Sequence, residues 1–206
     1  MNNKLFLMSY FQAPIAKYSD AAGHLHPASL RPVANISLEQ LVQLITGNEL
    51  LRQLTDEVRH APNLGEAKKQ KLPFITPMGC FSYRKADSLL QASGLLVIDL
   101  DGELTPAEAE ALRDRLFQDP WLQPVLCFVS PSGQGVKALI PYRPDATIPV
   151  QEDITANLRM TMDYMQGMYS HATTAQVDVS GKDVVRSCFL CHDAHAKYRL
   201  TGTCTD

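Results

Sequence analysis

Neither an excess of charge nor a long apolar run marks this chain. Its formal net charge is -3 at pH 7, so it has no overall basic field to attract nucleic acid, and any such contact requires a local patch. Basic residues cluster at two places, which are Lys68, Lys69 and Lys71, and then Arg84 and Lys85. A run of this kind is also typical of a solvated helix face, and both interpretations stay open.

No stretch approaches the ~20 consecutive apolar residues that a membrane span requires. The apolar segment Leu5–Leu7 is too short for the core of a signal peptide. We therefore expect no membrane partner and a cytoplasmic location.

Cysteine is scarce as well. The five cysteines are odd in number and lack a compact disulfide spacing, which is typical of free thiols in a reducing compartment. One segment, CFLCH at Cys188–His192, matches a haem-attachment pattern, and His195 extends it toward a zinc site. We disfavour a metal there, because Cys188 and Cys191 on a strand face opposite sides of the sheet.

The composition, 45% hydrophobic and 20% charged over 206 residues, is typical of a globular protein with one main core and excludes disordered and collagen-like classes. We expect an N-terminal strand-plus-helices extension at residues 1–92, packed on a core domain at residues 93–206. In the extension, the pattern predicts a strand at Lys4–Phe11, a helix that begins at a Ser37–Gln40 capping box, and a helix near Glu49–Arg59. The segment KKQKLPFITPMGCFSYRK that follows indicates a loop and a short strand.

The core domain opens with the apolar run Leu95–Leu100, which predicts a buried strand, and Thr105 and Pro106 then predict the start of a helix. There follow the strands PVLCFVS and VKALIPY joined by the turn PSGQG, a helix near Pro149–Met168, and a last strand near Ser187–Cys191. This β-α-β-β-α-β order predicts an α+β fold with a ferredoxin-like or RNA-recognition-like (RRM-like) core.

In the usual strand order of that core, 4-1-3-2, the end of the first strand, the hairpin turn and the approach to the last strand meet at one sheet edge. Asp99 and Asp101 lie at the end of the first strand, in GLLVIDLDGEL, and their carboxylates point to the same side. Two close carboxylates repel each other unless a cation lies between them, so the pair predicts a site for Mg²⁺ or Mn²⁺. A polar strand end that caps the next helix through solvent is the alternative.

The hairpin segment SPSGQGVK predicts a phosphate site. Ser132, Gly133 and Gly135 have small side chains, so backbone N–H groups can face an anion, and Lys137 adds a positive charge. The spacing is not that of a Walker A loop, and we expect no ATPase chemistry of that kind. A plain hairpin turn is the alternative.

The segment VDVSGKDVVRSCF contributes a third acid, Asp178, and a basic residue, Arg186. In the expected sheet Asp178 reaches the same edge as Asp99 and Asp101, which makes three carboxylates for one or two metal ions. Arg186 is suited to bidentate contact with a triphosphate, or to a salt bridge with one of the acids.

Together these segments resemble the VirE amino-terminal-domain family, within the archaeo-eukaryotic primase superfamily of primase-polymerase domains. The resemblance covers about Ser37–Tyr198 and is carried by KLPFITPMGCFSYRK, GLLVIDLDG, FVSPSGQGVKALI and DVSGKDVVRSCFLCHD, in that order. It implies nucleotidyl transfer with Mg²⁺ or Mn²⁺ in the DNA replication of mobile elements. It also implies a nucleoside triphosphate, a single-stranded DNA template and a helicase as partners.

The resemblance also implies roles for individual residues. The metal ligands and catalytic residues are Asp99, Asp101 and Asp178, and the nucleotide-binding residues are Ser132, Gly133, Gly135, Lys137 and Arg186. Active primase-polymerases usually have His where this chain has Lys137, so the resemblance supports nucleotide binding better than polymerisation.

Two alternative functions stay open. VIDLDGEL is similar to the first motif of haloacid-dehalogenase phosphatases, in which the first Asp attacks phosphate. Glu103 replaces the Thr of that motif, and the early hairpin breaks the βαβ succession of a doubly wound sheet. The other alternative is a non-catalytic module that binds nucleotide or nucleic acid with the same sheet.

Overall fold

The computed structural model describes residues 6–169, 175–178 and 183–200. These residues form five α-helices, which are α1 (Leu38–Gly47), α2 (Glu49–Arg59), α3 (Leu64–Lys71), α4 (Pro106–Phe117) and α5 (Val150–Tyr169). The strands in the first half of the chain are β1 (Leu7–Phe11), β2 (Tyr18–Ser19), β3 (Leu25–His26), β4 (Ala34–Ser37), β5 (Phe74–Thr76), β6 (Gly79–Phe81) and β7 (Leu89–Ala92). Those that follow are β8 (Leu95–Asp101), β9 (Leu126–Val129), β10 (Val136–Pro141), β11 (Gln176–Val177), β12 (Cys188–Phe189) and β13 (Lys197–Tyr198).

The N-terminal part is built on a four-stranded antiparallel sheet with the order β12-β5-β1-β4. The predicted first strand is confirmed over its described part, Leu7–Phe11. The capping box is confirmed too, because the Ser37 side chain accepts from the Gln40 N–H and the Gln40 side chain accepts from the Ser37 N–H. The predicted second helix is confirmed at Glu49–Arg59, where Asn48 caps it.

The segment KKQKLPFITPMGCFSYRK differs from its prediction as a loop with one strand. Its first four residues are the last four residues of helix α3. Asn63 caps the start of this helix by accepting a hydrogen bond from the Glu66 N–H. The helix ends before Pro73, which has no backbone N–H to continue it. Two strands follow instead of one, because β5 joins the N-terminal sheet and β6 pairs with β7.

The second large sheet has five strands in the order β11-β8-β10-β9-β13, and all of its pairings are antiparallel. The predicted strand at Leu95–Leu100 is confirmed and extends to Asp101. The helix at Thr105 and Pro106 is confirmed with a complete capping box. Helix α4 packs on β9 and β10, and α5 packs on β8 and β11.

The position of the predicted last strand was wrong. Ser187–Cys191 was expected beside the first core strand, but β12 pairs with β5 in the N-terminal sheet, where Phe189 lies opposite Phe74. The edge next to β8 is taken by β11, directly before Asp178. The apolar segment after residue 186 therefore completes the N-terminal sheet.

The result is a mixed α+β structure with several antiparallel sheets. Its buried apolar side chains form one continuous cluster that includes residues of both large sheets, such as Met8, Ile75, Ile98 and Leu139. None of the described helices combines the length and the apolar character that a membrane span requires.

Candidate metal centre

The end of strand β8 carries Asp99 and Asp101, and β11 brings Asp178 beside them. The backbone N–H of Asp178 donates to the carbonyl of Asp99 at 2.9 Å. Gly102 permits this approach, because a Cβ atom at that position would lie 2.8 Å from the Cα of Ala175. The third acid is thus held beside the first by backbone hydrogen bonding.

The three carboxylates converge. One oxygen atom each from Asp99, Asp101 and Asp178 lies within 4.8 Å of the others. Within residues 6–169, 175–178 and 183–200, no other group of His, Cys, Asp and Glu side chains converges in this way. An all-oxygen, triply acidic donor set suits hard divalent cations such as Mg²⁺ and Mn²⁺.

Lys137 is the buried counter-ion of this cluster. Strand β10 places it directly opposite Asp99, its side chain is 7% exposed, and its ammonium group forms an ion pair with Asp99 Oδ2. Burial by itself lowers the pKa of Lys137, but the Asp99 charge raises that pKa above the ordinary value for lysine. Lys137 is therefore a permanent cation beside the acids.

The other oxygen of Asp99 has no such partner. Asp99 Oδ1 is buried and lacks a hydrogen-bond partner among the described residues. A buried, unpaired carboxylate oxygen is costly, because its lost hydration is not replaced. A cation bound between the three acids would compensate for the lost hydration of Asp99 Oδ1. The donor set therefore fits a divalent ion.

The pKa of Asp101 is consistent with a site for a cation. Burial raises the pKa of Asp101, the charge of Asp99 raises it further, and the charges of Lys137 and Lys68 act in the opposite direction. As a residue Asp101 is exposed, so the charge of the neighbouring Asp99 carboxylate is the cause that bears on cation binding. Repulsion of this kind is relieved when a cation is shared by the acids.

Arg186 takes the salt-bridge role that the sequence left open. Its Nη2 atom lies 2.7 Å from Asp178 Oδ2, and its Nη1 atom donates to the Asp178 carbonyl at 3.2 Å. The guanidinium group, with a side-chain exposure of 9%, holds Asp178 in place. Its contact with a triphosphate stays a prediction.

The hairpin between β9 and β10 abuts the end of β8. A Cβ atom on Gly135 would collide with the carbonyl oxygen of Leu100, so glycine is required for this close approach. Gly133 has a φ of 77°, which favours glycine. The Gly133 N–H donates to the Ser130 carbonyl at 2.9 Å, and Ser132 Oγ lies 2.9 Å from Ser130 Oγ.

These contacts differ from the predicted role of the hairpin. The sequence predicted that its N–H groups face an anion, yet the Gly133 N–H is used within the turn. The Gln134 N–H likewise donates to Ser132 Oγ at 3.2 Å. Both glycines therefore serve the shape of the turn, and a nucleotide role for them stays a prediction.

Arg59 is a contact that the sequence analysis missed. From the end of α2 it donates through Nε to the Pro131 carbonyl at 3.2 Å and through Nη2 to the Ser130 carbonyl at 3.4 Å. A basic residue in the last turn of a helix gives no sign of a partner 72 positions away in sequence. Arg59 ties the hairpin to the N-terminal helices.

Among the described residues, the cysteine segment contains no converging group of three or more metal-ligating side chains. Cys80, Cys127, Cys188 and Cys191 are free and buried, and Cys204 lies outside the described residues. Burial raises the pKa of Cys188 to about 11 and that of Cys191 to about 12. The structure thus agrees with free thiols at these four positions.

Comparison with known proteins gives one match. A family model described as BT4734-like, N-terminal domain, matches residues 67–198, more than half of the chain. The matched range contains the three acids, the hairpin and Arg186. No curated protein and no solved structure matches the chain.

Proposed function

The chain belongs to the BT4734-like N-terminal domain family, and from that premise we propose that it is a primase-polymerase-type domain that binds a divalent cation and a nucleoside triphosphate. The observation that carries the proposal is the convergence of three acids from distant positions, within 4.8 Å of one another. A buried oxygen of Asp99 without a partner adds a second, independent reason for a cation there.

The strand order supports the same proposal. In the sheet β11-β8-β10-β9, β8 is the first strand of the β-α-β-β-α-β succession, and its neighbours are the third and the fourth. This order parallels the 4-1-3-2 order expected for a ferredoxin-like core, and it supports the proposal of such a core. It favours the kinship with VirE-type and other primase-polymerase domains that the sequence motifs indicate.

In the proposed reaction, the oxygen of a hydroxyl group bonds to the α-phosphorus of the triphosphate, the bond to pyrophosphate breaks, and the hydroxyl proton passes to water. A divalent cation held by Asp99, Asp101 and Asp178 would neutralise charge on the phosphates. The chain's own contribution is positional. Arg186 orients Asp178, and Lys137 holds Asp99 in one conformation by an ion pair.

The position of Lys137 favours a second candidate, a module that binds nucleotide without transferring it. The ammonium group already neutralises one oxygen of Asp99, which leaves less negative charge for a second cation. Because transfer by paired cations requires both ions, a one-ion centre would bind a nucleotide and stop there. The two candidates share the site and differ only in product formation.

The phosphatase alternative gains no support from the fold. Strand β8, which carries the DxD pair, is antiparallel to both of its neighbours, β10 and β11. A doubly wound phosphatase sheet instead places such a strand among parallel ones. We also infer that the template is single-stranded DNA and that the setting is replication of a mobile element with a helicase partner, which rests on the motif resemblance alone.

A primer-synthesis assay tests the proposal. The full chain is incubated with Mn²⁺, labelled nucleoside triphosphates and single-stranded DNA, and Mn²⁺ binding is titrated in parallel. We expect product or metal-dependent nucleotide binding in the wild type and loss of both in Asp101→Asn, which removes one charge at nearly constant volume. Asp163→Asn, on the exposed side of α5, is the matched control.

The outcomes separate the candidates. Product that disappears in Asp101→Asn supports nucleotidyl transfer, and binding without product supports the binding module. Unchanged Mn²⁺ binding in Asp101→Asn contradicts the metal centre itself.

A further inference from the structure

The two basic runs of the sequence, one in helix α3 and one after strand β6, contain side chains with different partners. Lys69 forms an ion pair with a glutamate at 3.0 Å, and Lys85 forms one with an aspartate at 3.4 Å. Lys68 and Arg84, by contrast, have no ion pair with a carboxylate among the described residues. Each basic run therefore keeps one positive charge that no acid neutralises.

Each of these two cations lies over an aromatic ring. The Lys68 ammonium group is 5.4 Å from the centroid of Phe189, and the Arg84 guanidinium group is 5.3 Å from the centroid of Phe74. The two rings meet edge to face, with their centroids 6.1 Å apart. Three successive contacts thus connect the two cations, and an aromatic ring attracts a cation without cancelling its charge.

A third cation continues this arrangement. The Arg31 guanidinium group lies over the ring of Tyr83, 5.9 Å from its centroid. The next residue after Tyr83 is Arg84, whose backbone N–H donates to the carbonyl of Leu30 at 2.8 Å. Arg31 is exposed and, within the part of the chain that the structure describes, has no carboxylate partner. Lys68, Arg84 and Arg31 therefore form one row of cations, the basic row.

The rings under the first two cations lie on the outer face of the N-terminal sheet. Phe11, Phe74 and Phe189 are opposite one another on β1, β5 and β12, so their side chains share one face. Met8 and Ile75 point to the other face and belong to the apolar cluster of the core. Phe11 and Phe74 are fully buried but are not members of that cluster. The cations over these rings therefore cover the sheet face that does not pack on the core.

Contacts with the chain hold this face together. Arg84 Nη2 donates to the carbonyl of Ile15 at 2.6 Å, and the N–H of Ile15 donates to the carbonyl of Lys69 at 2.9 Å. One loop residue thus connects the two basic runs. The positions of the charges are set by the fold.

The number of cations and their setting distinguish between polyanions. Segments that hold anionic membranes contain about 4–8 Lys or Arg residues, which exceeds the three of the basic row. A single strand of nucleic acid offers phosphates at regular intervals and unpaired bases that stack on aromatic rings and guanidinium groups. Bases in a duplex already stack on one another. Three positioned cations that alternate with rings therefore favour a single strand.

We propose that the basic row binds the backbone of single-stranded DNA, with the charges of Lys68, Arg84 and Arg31 in contact with its phosphates. The inference rests on the proposed function for the choice of partner, because the single strand was inferred there from the motifs alone. It adds the surface that holds the strand and places that surface in the N-terminal sheet. Binding at this surface requires no divalent cation, so it is measurable apart from the metal centre.

The test measures binding of a fluorescein-labelled single-stranded oligonucleotide to the full chain by fluorescence anisotropy, in EDTA and over a series of salt concentrations. Lys68→Gln and Arg31→Gln each remove one charge of the basic row. Each phosphate contact with a single strand contributes about 0.7 to the slope of log affinity against log salt concentration. Each of the two variants should therefore reduce the magnitude of that slope by ~0.7 and weaken binding about fivefold near 0.1 M salt.

Lys69→Gln and Lys85→Gln are the matched controls, because each removes a neighbouring charge that an acid already neutralises. Both controls should keep the salt slope of the wild type. The melting temperature of all four variants should equal that of the wild type, which shows that the fold is intact.

Three results overturn the inference. The first is a wild-type affinity and salt slope in both Lys68→Gln and Arg31→Gln. The second is an equal loss in the two controls, which would mean that net charge alone sets the affinity. The third is tighter binding of a duplex of the same sequence, or of anionic-lipid vesicles, than of the single strand.

Asp101→Asn separates this inference from the proposed function. In EDTA this variant should bind the oligonucleotide as the wild type does, although it loses Mn²⁺ binding. A wild type that binds Mn²⁺ and triphosphate but no oligonucleotide in EDTA overturns the inference alone. A wild type that binds the oligonucleotide through the basic row but binds neither Mn²⁺ nor triphosphate overturns the proposed function alone.

Discussion

At the scale of single residues, the ion pair of Lys137 and Asp99 is more deeply buried than that of Arg186 and Asp178 in the candidate centre. Both side chains are largely buried, at 7% and 14% exposure. Loss of one member of a buried ion pair is far more costly than loss of both, because the remaining charge has neither water nor a partner. Substitution of one member of the pair is therefore a sensitive test of whether the two side chains form a buried ion pair.

We predict that Lys137→Met lowers the free energy of unfolding by about 3–5 kcal/mol, because it leaves Asp99 uncompensated among two other acids. The double variant Asp99→Asn, Lys137→Met should recover a large part of that loss. Urea unfolding of the four proteins gives the coupling between the two sites. Lys69→Met, at an exposed position, should change stability by less than about 0.5 kcal/mol, and a similarly small effect of Lys137→Met would contradict the buried pair.

The buried thiols lead to another prediction. The pKa of Cys188 is raised to about 11 and that of Cys191 to about 12, so at pH 8 the reactive thiolate is scarce and the sulfur is shielded. In a Cys204→Ser variant, iodoacetamide at pH 8 should leave the native protein unmodified over hours and label four cysteines in urea. Mass spectrometry counts the labels. Rapid labelling of the folded protein would contradict the burial of these side chains.

The sequence predicted the residues of the centre better than their contacts. Asp99, Asp101 and Asp178 were identified from their positions at strand ends, and they do converge. Lys137 was predicted to bind phosphate, but its ion pair with Asp99 depends on the register of β8 and β10. That register is set by the hairpin, whose geometry a one-dimensional pattern does not contain.

At the scale of elements, the hairpin between β9 and β10 owes its position to glycine. The Gly135 backbone approaches the carbonyl of Leu100 too closely for any side chain. By contrast, Gly167 lies in α5 with no atom near the place of a Cβ. The two glycines thus make a matched pair, one required by packing and one not.

We predict that Gly135→Ala lowers the free energy of unfolding by about 1–3 kcal/mol, the range for an added group in a filled space. Gly167→Ala should raise it by ~0.5–1 kcal/mol, because alanine favours the helix. Thermal and urea unfolding of both variants measure the difference. A neutral Gly135→Ala would show that the hairpin does not pack on β8 as described.

Element prediction succeeded where local rules decide the outcome. The capping boxes at Ser37 and Thr105 marked two helix starts correctly. It failed for short pieces, since β11 and β12 have two residues each. Strands of that length exist because a neighbouring strand pairs with them, and their own residues carry too little pattern to show it.

At the scale of the whole molecule, β12 connects the two halves of the chain. It follows the last core helix in sequence, yet it pairs with β5 in the N-terminal sheet. The apolar side chains of both sheets belong to one cluster. The N-terminal part therefore lacks an edge strand unless the C-terminal part is folded.

We predict a single cooperative unfolding transition for this reason. Trp121, the sole tryptophan, stacks on Tyr164 of α5 with centroids 4.4 Å apart, so its fluorescence reports on the C-terminal half. Hydrogen exchange of β1 and β5 amides reports on the N-terminal sheet. Both probes should give the same urea midpoint, and two separate midpoints would contradict the shared strand.

The assembly of the acid cluster also belongs to this scale. Asp178 was placed correctly although the strand expected after it was wrong, because β11, directly before Asp178, takes the place of that strand beside β8. The sequence showed which residue types gather at the sheet edge. Residues 188–189 join the other sheet through pairing with a strand far away in sequence. Local sequence patterns do not predict such pairing.

The ion pair inside the acid cluster makes folding of the chain independent of cation binding. Since Lys137 already compensates Asp99, the polypeptide can complete its fold during synthesis without first capturing an ion from the cell. Under the proposed function, binding of the divalent cation would then be a reversible step that follows folding and depends on the concentrations of metal and nucleotide.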